Sequence, residues 1–147
     1  MNTRSVVAAV VALLAVVPVA AQDLPMLELS AGMHRIEAEV ANTEPRRMFG
    51  LMRREYLPPQ RGMLFVFDAD ARHCMWMKNT LIPLSVAFLD AHGKVINIEE
   101  MEPQTENNHC AARPARFALE MNPSWFRKRG IGPGAAIGGI ERAPPAR

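Results

Sequence analysis

The chain has 147 residues, with 17 basic side chains against 15 acidic ones and 49% apolar residues. Such balance offers no basic stripe for nucleic acid, and the apolar share is ample for one domain with a real core. Arg46-Arg47 and Arg53-Arg54 are isolated pairs, of the kind that solvated surfaces carry.

The first segment reads as a cleaved leader, residues 1–21. Arg4 precedes an unbroken apolar run from Val6 to Val17, and Pro18-Val19-Ala20-Ala21 offers small residues for cleavage before Gln22. The run is shorter than the roughly 20 residues a bilayer needs, so no stable membrane span is expected after cleavage. A periplasmic or secreted location follows. In an oxidising compartment the two cysteines, Cys74 and Cys110, are expected to form a disulfide worth about 3 to 4 kcal/mol by loop entropy.

Residues 22–32 read as a loosely held, partly extended lead-in to a single domain over 33–141. His34 to Val40 alternates as a half-buried strand. Thr43 is placed to cap a helix with Pro45 in its first turn, running through Met48, Leu51 and Met52 to the region of Tyr56. Gly62 precedes Met63-Leu64-Phe65-Val66-Phe67, a strand apolar on both faces, and Asp68 to Ala71 is expected as a turn.

Cys74 to Leu84 begins as a strand, breaks into polar residues, and resumes after Pro83. Leu84–Leu89 and Lys94–Glu99 form a predicted hairpin around Asp90-Ala91-His92-Gly93. A long polar loop over 101–114 leads to a strand at Arg116–Met121. Asn122 to Phe126 suggests a short capped helix stopped by Gly130, and a weak last strand is expected near Ala135–Ile140. Residues 142–147 read as a frayed tail. The expected fold class is mainly β: a compact antiparallel β sandwich or small barrel with one or two short helices.

Several chemistries are excluded. Ser30, Ser85 and Ser124 stand in no nucleophile-elbow context, and no glycine-rich loop has phosphate-binding spacing. The four histidines are isolated, so no ordinary zinc site is expected, and no catalytic residue or cofactor is assigned. Met75, Met77 and His73 make a minor Cu(I) candidate, set against the usual role of methionine as core filler.

A polar cluster remains. If Cys74 is bonded to Cys110, then Trp76, Lys78 and Asn79 come near Gln104, Asn108, His109 and Arg113. Trp76 offers a stacking face, Lys78 and Arg113 positive charge, and the amides hydrogen bonds, a set suited to a glycan or small anion. The competing account is structural: Asn79-Thr80 as turn residues, Trp76 as a lid on the disulfide, Lys78 in water.

Gly50-Leu51-Met52-x-Arg54, Gly62 to Phe67, and Trp76-Met77-Lys78-Asn79-Thr80-x-Ile82-Pro83-Leu84 closely resemble the domain of unknown function 192 family. Ala115 to Met121 and Gly130-Ile131-x-x-Gly134 extend the resemblance, which covers about Ile36 to Gly138. It implies a mainly β, sandwich-like and often exported domain without agreed catalytic residues. That family usually carries an aromatic residue where this chain has Met75, which favours a packing role for that position. The leading expectation is therefore an exported β domain binding a polar ligand near Trp76. An envelope glycan hydrolase using His109 or Glu102, and an interaction domain for another envelope protein, are the alternatives.

Overall fold

A computed structural model of the chain describes residues 24–147; the expected leader lies outside them. Alternation of Leu27, Leu29 and Ala31 builds β1 (Met26–Ala31), which runs antiparallel to β2 (His34–Ala41) from Met26 opposite Glu39 to Ala31 opposite His34. The lead-in expected to be partly extended and loosely held is thus firmly paired over Met26–Ala31. Leu29 and Ala31 are buried, so apolar contact holds it as well as the ladder.

From β2 the chain passes through α1 (Glu44–Phe49) and a strap to β3 (Arg61–Ala71), which pairs parallel to β2. Parallel neighbours need a long crossover, and residues 42–60 supply it. The helix is one short segment rather than a run to Tyr56. It stops where Gly50 takes φ 51° and ψ −132°, a conformation open only to glycine, and Thr43 makes no side-chain cap. Leu51 and Leu57 are buried beyond it as irregular chain.

The expected turn at Asp68–Ala71 stays extended as the exposed end of β3. Its ladder with β8 (Ala115–Met121) shifts register after Val66 and resumes at Ala71 opposite Ala115, while Arg116 Nε donates to Asp70 Oδ1 at 2.7 Å. The predicted hairpin forms as β5 (Leu84–Leu89) and β6 (Val95–Met101), with Gly93 at φ 81° and the Asp90 carboxylate accepting from the His92 and Lys94 amides. Asn122 spends its amide on the carbonyls of Leu57 and Pro58 rather than capping a helix, so only a 3-10 turn forms, at Arg127–Arg129 before Gly130. The last strand, β9, is just Ile137–Gly138.

Seven strands make one curled half-barrel sheet in the order β6-β5-β8-β3-β2-β1-β9; a separate ribbon joins β4 (Cys74–Met75) to β7 (His109–Cys110). The fold is mainly β, as expected, with the β2–β3 pair as its parallel exception. Each sheet face carries an apolar cluster: Leu64, Val66, Leu119 and Phe126 on one side, and Phe65, Met77, Val86 and Phe88 on the other. The tail expected to fray is tied down. Asn42 Nδ2 donates to Pro145 O at 2.9 Å, and the Arg147 amide donates to Asn42 O at 2.7 Å. No helix of the described residues is long and apolar enough to cross a membrane.

Candidate functional site

The disulfide is present between Cys74 and Cys110, which stand directly opposite each other in the β4–β7 ladder with Cα atoms 4.0 Å apart. Backbone bonds continue the join: Ala111 N to His73 O, Met77 N to Thr105 O, and Gln104 N to Thr80 O. Asn97 anchors the far segment on the sheet, donating to Cys110 O and accepting from the Ala112 amide. The segments bearing the predicted site residues thus meet along their length.

Their side chains are turned to solvent or to one another. Lys78 Nζ lies 5.2 Å from the centroid of the Trp76 ring and 3.7 Å from Glu106 Oε1, so its charge is already partnered. Asn79 and Gln104 both sit in left-handed turns at φ 56°, which is what an Asn-containing turn explains without a ligand. His109 pairs with Met75 in the ladder, and its Nε2 lies 3.2 Å from Asn107 Nδ2. Asn108 and Arg113 are exposed. The result is a surface strip. The alternation read from the sequence does hold: Cys74, Trp76 and Lys78 face outward, while Met75 is half-buried and Met77 fully buried.

The residues of the copper candidate are engaged in packing. Met77 lies in the apolar cluster, whereas His73 stacks on Phe67 with centroids 3.7 Å apart and its Nε2 meets Ala69 O at 2.8 Å. Among the described residues no group of three or more His, Cys, Asp or Glu side chains could hold a metal ion.

A different concavity opens on the inner side of Trp76. One wall is the end of α1 and the chain after it, Met48 to Met52; the other is Met75, Trp76 and Thr80. Phe65 and Glu120 also line it, and none of Lys78, Asn79, Gln104, Asn108, His109, Arg113 or Glu102 does. The crevice is half open, and the centre of a water-sized group has about 20 Å³ to move in. At its rim Met48 is 60% exposed, Phe49 52% and Trp76 37%, unusual for large apolar side chains packed so closely together.

Glu120 is the residue that sequence reasoning missed. It is 4% exposed, in the centre of the sheet, opposite Met63 on β3 and Val86 on β5. Burial pushes its carboxyl up to about 8, and among the described residues no hydrogen bond or opposite charge offsets the desolvation. The other buried carboxylate on this face, Glu39, is treated differently. Arg54 grips it with two bonds, Nη1 to Oε1 at 2.7 Å and Nη2 to Oε2 at 2.5 Å, and that hydrogen bonding raises the arginine's own pKa. The available signal was a glutamate in the otherwise apolar run Phe117 to Met121.

The model of the uncharacterised DUF192 family matches residues 27–139. The chain belongs to that family. Two solved structures are similar to this DUF192 protein over most of its length. One is a proposed transcription regulator from Sinorhizobium meliloti, 31% identical, with a TM-score of 0.71 over 78% of this chain and 92% of that one. The other is a protein of unknown function from Novosphingobium aromaticivorans, also 31% identical, with a TM-score of 0.73 over 84% and 90%. No functionally curated protein matches the chain.

Proposed function

We propose that this DUF192 protein is an exported ligand-binding domain that takes a small polar ligand in the crevice between α1 and Trp76. The observation that carries this reading is Glu120, a carboxyl without a partner among the described residues, on the floor of a crevice with an exposed aromatic rim. A carboxyl buried without a partner costs stability, and a ligand group reaching it would recover the missing interaction. The half-exposed Trp76 ring supplies a face for the body of that ligand. Export has support from the Cys74–Cys110 bond, which belongs to oxidising compartments, and from the expected leader.

Within this reading a small anion is disfavoured: Lys78 already has Glu106, and the crevice itself offers a carboxyl. Hydrolysis by paired acids is disfavoured too, since Glu120 is the single titratable group lining the crevice.

The two indoles make the test internal. Trp76 is at the rim, while Trp125 is buried with its Nε1 donating to Pro59 O at 3.0 Å. A panel of neutral sugars, anions and amines should contain members that shift the Trp76 indole NMR signal and leave Trp125 in place. Trp76→Ala should abolish that binding with the melting temperature nearly unchanged, and Lys78→Ala should retain it. If no member of the panel moves Trp76, or if Trp76→Ala mainly unfolds the protein, the rim is structural.

The exposed Met48 and Phe49 favour a second reading, docking of another envelope protein on this rim. A pull-down from periplasmic extract with the Trp76→Ala protein as control separates it from small-molecule binding.

A further inference from the structure

The crevice has a chemistry more specific than "polar". Its floor is a carboxyl without a counter-ion, and three of its lining residues are the aromatics Phe49, Phe65 and Trp76. Three more are the thioethers Met48, Met52 and Met75. Aromatic faces attract cations through their quadrupoles, most strongly where water is excluded, and sulfur is a soft, polarisable neighbour. No lining side chain carries a positive charge, and Thr80 adds a hydroxyl acceptor.

We propose that the crevice takes a primary ammonium group on a slim apolar stem, with the Glu120 carboxylate as its counter-ion and the Phe49, Phe65 and Trp76 rings around it. The proposal rests on the crevice being the ligand site, and it names the ligand's class. The room suits the size of the group: the crevice admits a water-sized group at its floor, and –NH₃⁺ is close to water in bulk. The stem would then leave past the exposed Phe49 and Trp76.

The charges around Glu120 leave that role open to a ligand. From β3 and β5 its direct neighbours are Met63 and Val86, both uncharged. On β2, Glu39 stands beyond Met63 in the same row, already neutralised by Arg54. In the chain before the strap, Arg47 donates to Val66 O at 3.0 Å and Arg46 to Asn42 Oδ1 at 3.3 Å. On the opposite wall Lys78 faces outward to Glu106. An incoming ammonium would displace the proton that burial holds on Glu120, so cation binding and proton release are linked.

The test compares n-butylammonium with n-butanol, matched in shape and different in charge, through the Trp76 indole signal at pH 6, 7 and 8. An alkylammonium stays charged across that range, its reference value being near 10.4 as for lysine. The expected result is butylammonium binding that tightens up to tenfold for each unit that pH rises toward about 8, and butanol binding that is weaker and does not tighten as pH rises. Glu120→Gln should abolish both the pH dependence and the preference for the cation, with the fold checked by the unchanged Trp125 signal. A lysine side chain carries the same group, and Nα-acetyl-lysine amide against butylammonium distinguishes a chain-borne from a free amine; binding of either supports the proposal. If butanol or neutral sugars bind as well as the amine, or if affinity falls as pH rises, Glu120 is a neutral donor: the ammonium proposal is overturned and the crevice reading stands. If no probe moves Trp76, both are overturned.

Discussion

Glu39 and Glu120 occupy one row of the sheet, with Met63 between them, yet among the described residues only Glu39 has a counter-ion. Two strand spacings put the carboxyls on the order of 10 Å apart. The Arg54 that serves one does not serve the other. One face of one sheet therefore holds a satisfied ion pair and an unsatisfied acid, and the predictions start from that contrast.

Glu120 makes stability depend on pH. Its folded-state value is about 8 against 4.5 for the unperturbed group, so between those values the folded protein holds a proton that the unfolded chain has released. Its contribution therefore lowers stability progressively as pH rises from about 4.5 to 8, and the full cost is present above 8. At roughly 1.4 kcal/mol per unit, that cost is on the order of several kcal/mol. Urea denaturation at pH 5 and pH 9 should show it, and Glu120→Gln should remove most of the difference. An equal pH slope in the variant would assign the effect elsewhere.

Arg54→Ala leaves Glu39 buried and alone. Removing one member of a buried pair typically costs about 3 to 5 kcal/mol, and the lower end applies here because 32% of the Arg54 side chain is exposed. Adding Glu39→Gln to Arg54→Ala should recover a good part of the loss. A double variant no more stable than the single one would contradict this account.

Gly62 has no room for a side chain. A Cβ there would lie 2.3 Å from Met121 Sδ and 2.4 Å from Glu120 O. Gly62→Ala forces β3 away from β8 at the residue that forms the crevice floor, at a cost of about 1 to 3 kcal/mol. Denaturation should register the loss. The Trp76 indole signal should move with it, although Gly62 does not line the crevice.

The Cys74–Cys110 bond holds the segment that carries Trp76. Cys74→Ala with Cys110→Ala should lower stability by about 3 to 4 kcal/mol, since the bond spans a sequence separation of 36. The sheet should survive, because β4 and β7 lie outside it. Hydrogen exchange should therefore quicken over 74–80 and 102–111 and change little over β3, β5 and β8.

The sequence by itself determined the strands at His34–Val40, Met63–Phe67 and Arg116–Met121, the hairpin at Gly93, and the outward set Cys74, Trp76 and Lys78. Each rests on local information, a period of two or a residue suited to one backbone conformation, and local information survives in a one-dimensional reading. Leu27, Leu29 and Ala31 carry the same alternation, which by itself supports only a partly extended, loosely held lead-in. Its place depends on partners outside the segment: β2 on one side, and Gly138 and Ile137 on the other. The tail is similar, since Asn42 and Pro145 are 103 positions apart and only folding introduces them.

The site divides along the same line. Polar residues adjacent in sequence, Lys78 and Asn79 among them, are legible as a cluster because they are adjacent, and in the fold they make a surface ion pair and a turn. Tertiary structure decided what lies behind Trp76. It brought the end of α1, the β4 segment and the middle of β8 to one crevice and left Glu120 there without a partner. Whether a carboxyl is solvated, paired or stranded depends on which chains cross above it, and that information is not written at position 120.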